Sequence, residues 1–88
     1  MARKKGQRVY TSMTNDLGRE KRRYGIIDRD EIDGWDYIDV SFDDFPKMVE
    51  PIVTWYLHDA DDGDKRTGLV IFDADGTVLK EELHPRNF

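Results

Sequence analysis

The chain contains no cysteine and no long apolar run. The lack of cysteine excludes a disulfide framework and a thiolate metal site, and it fits a reducing compartment. No stretch approaches the roughly 18 consecutive apolar residues that a membrane-spanning helix needs, so we expect no membrane partner. The basic residues at positions 3–8 are not followed by the apolar core of a secretory signal. Together these absences favour a cytoplasmic protein.

Charge is abundant, and its two signs are separated along the chain. Lys and Arg number 14 and Asp and Glu number 19, which gives a formal net charge of -5. Residues 1–29 hold nine of the basic and three of the acidic residues, whereas residues 30–88 hold five and 16. Such a separation predicts surfaces that attract different partners, although it does not determine the fold.

Length and composition allow one small core. Hydrophobic residues make up 38% and aromatic residues 11% of the 88 residues. A chain shorter than about 100 residues buries only a modest share of its surface, so a second domain has no room. We therefore predict a basic N-terminal arm over 1–7 and a single small domain over 8–88.

The first half of the domain contains three runs that are typical of strands. Residues 8–13 and 24–28 are rich in Val, Ile, Tyr and Thr, which favour extended backbone. Turn-forming residues at 14–18 separate them, so we predict a hairpin whose long loop carries the basic run 19–23. A third strand is predicted over 35–42, where apolar residues alternate with polar and aromatic ones.

The next segment, 43–58, fits two interpretations. Its start has the spacing of a helix capping box with Asp in place of Glu, and Pro46 suits a first helical turn. Pro51, however, would cost about 3 kcal/mol inside a helix. We therefore predict a short helix over 43–50 and a strand over 52–58, with one kinked helix as the alternative.

The most specific structural signal is the pair Asp75 and Gly76 between two apolar alternating runs. Asp-Gly favours the tight turn of a β-hairpin, which predicts paired strands over 68–74 and 77–83. The predicted fold is α+β and mostly antiparallel β, in a small sheet or partly closed barrel. Its order is β-β-β-α-β-β-β, with the one short helix near 43–50.

The residues around this turn also resemble a catalytic motif. Residues 72–79 are similar to the first motif of the haloacid dehalogenase phosphatases, in which one Asp attacks phosphorus and a second acts as general acid and base. The resemblance implies these roles, and magnesium binding, for Asp73 and Asp75. The later Ser or Thr, Lys and acidic pair of that family have no counterpart in the sequence. Since an Asp-Gly turn explains the same residues, we predict that the protein is not an enzyme.

Other patterns that could hold a metal or a cofactor are incomplete. The acidic loop 59–64 does not have EF-hand spacing, because His58 and Ala60 fall where the first and third ligands belong. His58 and His84 lie in no nucleophile motif, and the glycines match neither nucleotide-binding fingerprint. We therefore predict no metal site and no cofactor.

Two surfaces are candidates for binding a partner. We predict a protein-binding site on the outward face of the third strand and the turn before it, because Trp and Tyr dominate the hot spots of protein interfaces. Its residues are Trp35, Asp36, Tyr37 and Asp39, with the flanking Asp30, Glu31 and Asp33.

The second candidate is basic and interleaved with tyrosines. Phosphate-binding cations beside base-stacking aromatics are typical of single-strand binders, so this set would bind nucleic acid. Its residues are Arg3, Lys4, Lys5, Arg8, Tyr10, Arg19, Lys21, Arg22, Arg23 and Tyr24.

We favour a non-enzymatic regulatory or inhibitory module that acts on a protein partner, of the kind that viruses and mobile elements encode as accessory proteins. The alternative is a nucleic-acid-binding module that uses the basic arm and first hairpin. A third hypothesis is that the acidic residues of 30–88 imitate nucleic-acid phosphates. The position of the positive charge in space distinguishes these classes.

Overall fold

Seven strands and one 3₁₀ turn form the computed structural model, which describes residues 2–60, 63–64 and 66–82. The elements are β1 (Arg8–Thr14), β2 (Glu20–Ile27), β3 (Tyr37–Phe42), β4 (Val49–Val53), the 3₁₀ turn (Thr54–Tyr56), β5 (Leu57–Asp59), β6 (Leu69–Phe72) and β7 (Val78–Glu82). All pairings are antiparallel, and the open sheet has the order β4-β3-β2-β1-β5, with β6 joined to β2 and β7 to β6. The prediction of a mostly antiparallel β sheet is confirmed. No helix in the described ranges has the length and apolarity to cross a membrane.

The predicted helix over 43–50 is wrong. Residues 43–48 form consecutive turns, and the last two positions belong to β4. The Ser41 hydroxyl does not cap a helix; it donates a hydrogen bond of 2.9 Å to the carbonyl oxygen of Pro46 and so closes the turn. Pro51 is tolerated in β4 because this strand pairs only with β3, and an edge strand can lack one ladder donor.

The predicted strand over 52–58 is interrupted. It contains the end of β4, the whole 3₁₀ turn and the start of β5. The turn redirects the chain, so that β4 pairs with β3 whereas β5 pairs with the far edge of β1. The order of elements is therefore four strands, a 3₁₀ turn and three more strands.

The first hairpin has a short loop, so the predicted long basic loop is also wrong. The backbone N–H of Asn15 donates to the carbonyl of Arg19 at 3.0 Å, and Gly18 takes a φ of 79° inside that loop. Residues 20–23 already belong to β2. This basic run can form a strand because its guanidinium groups pack over aromatic rings. The guanidinium carbon of Arg22, for example, lies 4.5 Å from the centre of the Tyr10 ring.

The last hairpin is confirmed, with a turn of a different kind. The backbone N–H of Asp73 donates to the Thr77 carbonyl at 2.7 Å, which closes a loop of three residues. Gly76 alone in this loop has a positive φ, 89°, as expected of a turn that ends in a left-handed glycine. A β-bulge between Ile71 and Phe72 shifts the register of β6 and β7.

β2 is the strand that joins the two halves of the sheet. One edge pairs with β1, whereas the other pairs with β6 over residues 20–23 and with β3 over residues 25–27. The partner changes at Tyr24, whose N–H donates to the Gly68 carbonyl (2.8 Å) and whose carbonyl accepts from the Asp43 N–H (3.0 Å). The end of β3 and the start of β6 therefore meet beside one residue.

A buried carboxylate holds this junction together. The side chain of Asp43 is fully buried and accepts two hydrogen bonds, of 3.0 and 2.8 Å, from the Arg8 guanidinium on β1. It also accepts one of 3.0 Å from the backbone N–H of Gly68. Fully paired and hydrogen-bonded charges of this kind are the ones that a protein interior accommodates.

The core is divided between the two faces of the sheet. One cluster consists of Val9, Ile27, Ile38, Val40, Phe42 and Leu57, with Ile52 packed against it. The other consists of Tyr24, Val70 and Phe72, with Tyr10 and Ala60. Val9 and Tyr10 are neighbours on one strand and therefore point to opposite faces, which places the clusters on opposite sides.

Gly25 provides a test of the close approach between β2 and β3. A Cβ atom there would lie 2.8 Å from the carbonyl oxygen of Ser41 and 3.0 Å from the Cα of Phe42. We expect Gly25→Ala to lower the free energy of unfolding by about 2 kcal/mol, because backbone atoms cannot move aside cheaply. Urea denaturation measures the loss. The control is Gly63→Ala, where a Cβ meets nothing within 4 Å; equal stability of the two variants would contradict the β2–β3 register.

Candidate functional site

Trp35 and Tyr37 present half-exposed rings where the chain enters β3. Their ring centroids are 5.2 Å apart. The Arg29 guanidinium lies 5.0 Å from the Trp35 ring centre, and its Nε is 2.9 Å from the carboxylate of Asp39. Three of the residues predicted for protein binding are thus brought together, and two of them keep an accessible aromatic ring.

Two further aromatic residues adjoin this pair, and the sequence analysis did not select them. Trp55 and Tyr56 lie in the 3₁₀ turn, and the side chain of Trp55 is 69% exposed. The backbone N–H of Thr54 donates to the Asp36 carbonyl at 2.9 Å, so the two segments that carry the four rings touch. We call these four residues the aromatic surface: Trp35, Tyr37, Trp55 and Tyr56.

The 3₁₀ turn explains why this part of the surface was missed. In the predicted strand over 52–58, Trp55 and Tyr56 would point to opposite faces, and one of them would enter the core. The turn breaks this alternation and leaves both rings in solvent. The only feature of the sequence that could have indicated the exposure of Trp55 and Tyr56 is that two large aromatic residues stand next to each other shortly after Pro51.

The acidic residues around the aromatic surface divide into two groups. Asp30 and Glu31 hold the basic arm, since they accept hydrogen bonds from the backbone N–H groups of Lys5 (2.8 Å) and Arg3 (3.0 Å). Asp33 and Asp36 are exposed and make no ion pair within the part of the chain that the structure describes. These two carboxylates are therefore the ones available to a cation on a partner.

The basic arm lies against the domain, as far as residues 2–7 describe it. The Gly6 N–H donates to the Ile27 carbonyl at 2.8 Å, and the Glu31 N–H donates to the Arg3 carbonyl at 2.9 Å. The guanidinium of Arg3 bonds to the Asp59 carboxylate at 2.9 Å. Met1 lies outside the described residues. The arm thus shares its charge with the acidic segments that it contacts.

The residues predicted for nucleic-acid binding are dispersed. On β2, Lys21 and Arg23 point to one face of the sheet and Arg22 and Tyr24 to the other. Tyr24 is fully buried and has no ring face for a base, and Tyr10 stacks on His58 at 5.1 Å. The basic set does not form one continuous stripe.

Most arginines of this set also face carboxylates. Arg23 pairs with both Asp44 and Glu50, each at 2.9 Å. Further pairs join Arg8 to Asp43 at 2.8 Å, Arg22 to Glu20 at 3.1 Å and Arg19 to Asp73 at 3.8 Å. These contacts reduce the positive potential that a phosphate backbone would meet.

The two aspartates of the phosphatase-like motif take part in the hairpin turn. Asp73 accepts a hydrogen bond of 2.8 Å from the Ala74 N–H, and Asp75 accepts one of 2.9 Å from the Thr77 N–H. In the acidic loop, Asp64 bonds to Tyr24; two other aspartates of that loop, and His84, lie outside the described residues. Over the described ranges no group of three His, Asp or Glu side chains could hold a metal ion.

Comparison of the chain with models of protein families, with curated proteins and with solved structures finds no match. The aromatic surface combines two accessible residues of the predicted protein-binding site, Trp35 and Tyr37, with the exposed Trp55 and Tyr56 of the 3₁₀ turn.

The buried Tyr24 predicts a loss of stability in alkaline solution. Burial raises the pKa of Tyr24 to about 12, and the hydroxyl's hydrogen bond to Asp64, 2.8 Å long, favours the same neutral form. In the unfolded chain this phenol ionises near pH 10. The contribution of the neutral Tyr24 hydroxyl to the free energy of unfolding is thus complete below about pH 10 and is lost as the pH rises toward 12.

We expect the free energy of unfolding, measured by urea denaturation at a series of pH values, to decline over that interval. Tyr24→Phe should remove this part of the decline, because Phe has no hydroxyl to ionise. Tyr56→Phe, at an exposed position, is the matched control and should leave the wild-type pH dependence. A Tyr24→Phe variant with the wild-type slope would show that Tyr24 is not the titrating group.

Proposed function

We propose that this protein is a non-enzymatic regulatory or inhibitory module that docks a protein partner on its aromatic surface. The observation that supports the proposal is the exposure of four large rings at one end of the sheet, outside both core clusters. The fold does bury aromatic residues where it can, as it does with Tyr24 and Phe42. A cluster of rings left in solvent, with polar residues around it, is typical of an interaction site.

The aromatic surface has the composition of an interface hot spot. Trp and Tyr are the residues whose truncation costs most in protein complexes, about 2 kcal/mol or more at a hot spot. They supply this energy because a rigid ring buries a large apolar area with few rotatable bonds. The rings of Trp35 and Tyr37 are also in contact with each other, which limits the conformations that a partner would have to select.

Charge indicates the chemistry of the partner. Asp33 and Asp36 flank Trp35 and remain available to a cation. Aromatic ring faces attract ammonium and guanidinium groups as well. The surface therefore suits a partner segment in which Lys or Arg accompanies an apolar side chain. Ion pairs between these carboxylates and a partner's cations would contribute mainly to the association rate and to specificity, whereas burial of the aromatic rings would supply most of the affinity.

The contacts of the basic residues support this proposal over nucleic-acid binding. Arg8, Arg22 and Arg23 each face at least one carboxylate within 3.1 Å. A phosphate would have to compete with these carboxylates for the guanidinium groups. The alternative function would rest on the exposed Lys4 and Lys5 of the arm and on Lys21 of β2, and it is tested beside the favoured one.

We expect Trp55→Ala to reduce partner binding at least tenfold, which corresponds to about 1.4 kcal/mol, without unfolding the domain. A photo-crosslinker placed beside the aromatic surface identifies the partner from cells, and the purified partner is then titrated against each variant. The control is Leu17→Ala, because Leu17 in the first hairpin loop is 69% exposed, the same fraction as Trp55.

Equal affinity of Trp55→Ala and wild type would contradict the proposal. A fluorescent single-stranded oligonucleotide is titrated in parallel at two salt concentrations. Submicromolar binding that falls steeply with salt would instead support the nucleic-acid function, because phosphate contacts release counterions.

A further inference from the structure

A second open surface lies on a different part of the sheet, where β1, β2, β6 and β7 run side by side. Met13, Lys21, Ile71 and Lys80 are consecutive cross-strand partners on these four strands. Directly paired residues share a face, so the four side chains form one row. They line a groove of about 580 Å³, which is completed by Thr14, Asn15, Arg19 and Leu79.

The floor of this groove is apolar and is exposed in the part of the chain that the structure describes. Met13 is 75% exposed, Leu79 is exposed beside it, and Ile71 is partly buried. The core cluster that contains Phe42 lies on the same face but ends at Arg23, whose guanidinium carbon lies 4.0 Å from the Phe42 ring centre. Arg23 thus closes the core on one side, and beyond it no described segment of the chain covers the sheet face.

The rim of the groove is positively charged in a chain of net charge -5. Arg19, Lys21 and Lys80 line it, and none of the lining residues is acidic. Lys21 makes no ion pair among the described residues. Arg19 and Lys80 pair with Asp73 at 3.8 Å and Glu82 at 2.9 Å. Both pairs are solvent-exposed and contribute little to stability, so they hold these cations less firmly than the shorter, less exposed pairs of Arg8 and Arg23 hold theirs.

We propose that this groove binds an extended acidic peptide segment that carries aliphatic side chains. Carboxylates of the segment pair with the three cations, and its apolar side chains cover Met13, Ile71 and Leu79. Four adjacent strands span about 14 Å, the length of about four extended residues. The volume lies within the range of ligand-binding clefts.

The absence of aromatic residues from the lining argues against nucleic acid as the occupant. Single-strand binders hold successive bases mainly by stacking them on the rings of Phe, Tyr or Trp. The apolar residues here are Met13, Ile71 and Leu79, which match aliphatic side chains in shape and offer no flat ring. The site shares no residue with the aromatic surface, so the proposal stands independently of the proposed function.

A labelled hexapeptide tests the proposal directly. The probe is fluorescein-labelled Glu-Leu-Glu-Glu-Leu-Glu, and its control has Gln in place of each Glu. We expect saturable binding to the full-length protein in fluorescence anisotropy, with a Kd below about 1 mM, and about tenfold weaker binding of the control. Amide shifts in ¹⁵N spectra should be largest at Met13, Lys21, Ile71 and Lys80.

Matched charge reversals locate the site. Lys21→Glu should weaken binding of the acidic peptide about tenfold, because it places like charges together. Lys47→Glu makes the same charge change at an exposed position in the β3–β4 turn and should alter the Kd less than about twofold. Circular dichroism and urea denaturation verify that both variants fold.

Three results would overturn the proposal. The first is absence of saturable peptide binding at low salt. The second is equal affinity of wild type and Lys21→Glu, or amide shifts that map to the aromatic surface. The third is tighter binding of a single-stranded oligothymidine than of the acidic peptide at the same row of residues, which would make phosphate the ligand.

Discussion

The buried pair of Asp43 and Arg8 determines how this sheet can be assembled. Asp43 follows β3, Arg8 begins β1, and the same carboxylate accepts from the N–H of Gly68 just before β6. Its own backbone N–H bonds to Tyr24, where β2 changes partner. Through its side chain and its backbone N–H, this one residue thus links the end of β3 to β1, β2 and the start of β6. Removal of the Arg8 guanidinium would leave the fully buried Asp43 carboxylate without its cation, at a cost of about 3–5 kcal/mol, which is comparable to the whole stability of a small domain.

The strong separation of charge along the chain largely disappears in the folded molecule. Antiparallel pairing brings the basic first third of the sequence against acidic residues far along the chain, as in the contacts of Arg3 with Asp59 and Arg23 with Glu50. The arginines also lie over aromatic rings and shield them from water. The arginines of the basic sequence segment are therefore largely paired with carboxylates in the folded molecule. Among the described residues, Asp33, Asp36 and Lys21 are examples of charged side chains that keep no ion-pair partner.

Predictions from the sequence succeeded where the signal was local and failed where pairing partners decided the outcome. The alternation that places Ile38 in the core and the glycine turn of the last hairpin depend on neighbouring residues only. The capping pattern at 43–50 was also local, but the hydroxyl of Ser41 meets the carbonyl of Pro46 because β4 returns to pair with β3. The exposure of Trp55 depends in the same way on the 3₁₀ turn. This turn lies where the chain passes from β4, which pairs with β3, to β5, which pairs with β1.

The two open surfaces lie beside the two core clusters. Each face of the sheet carries one cluster, and neither cluster extends over every strand. Within the described ranges, the cover on the face of Phe42 ends at Arg23 and leaves Met13 exposed, whereas on the other face Tyr37 is half-exposed. The groove beside Met13 is lined by cations and the aromatic surface is flanked by carboxylates, so a partner on either surface would bury apolar side chains with the help of opposite charge.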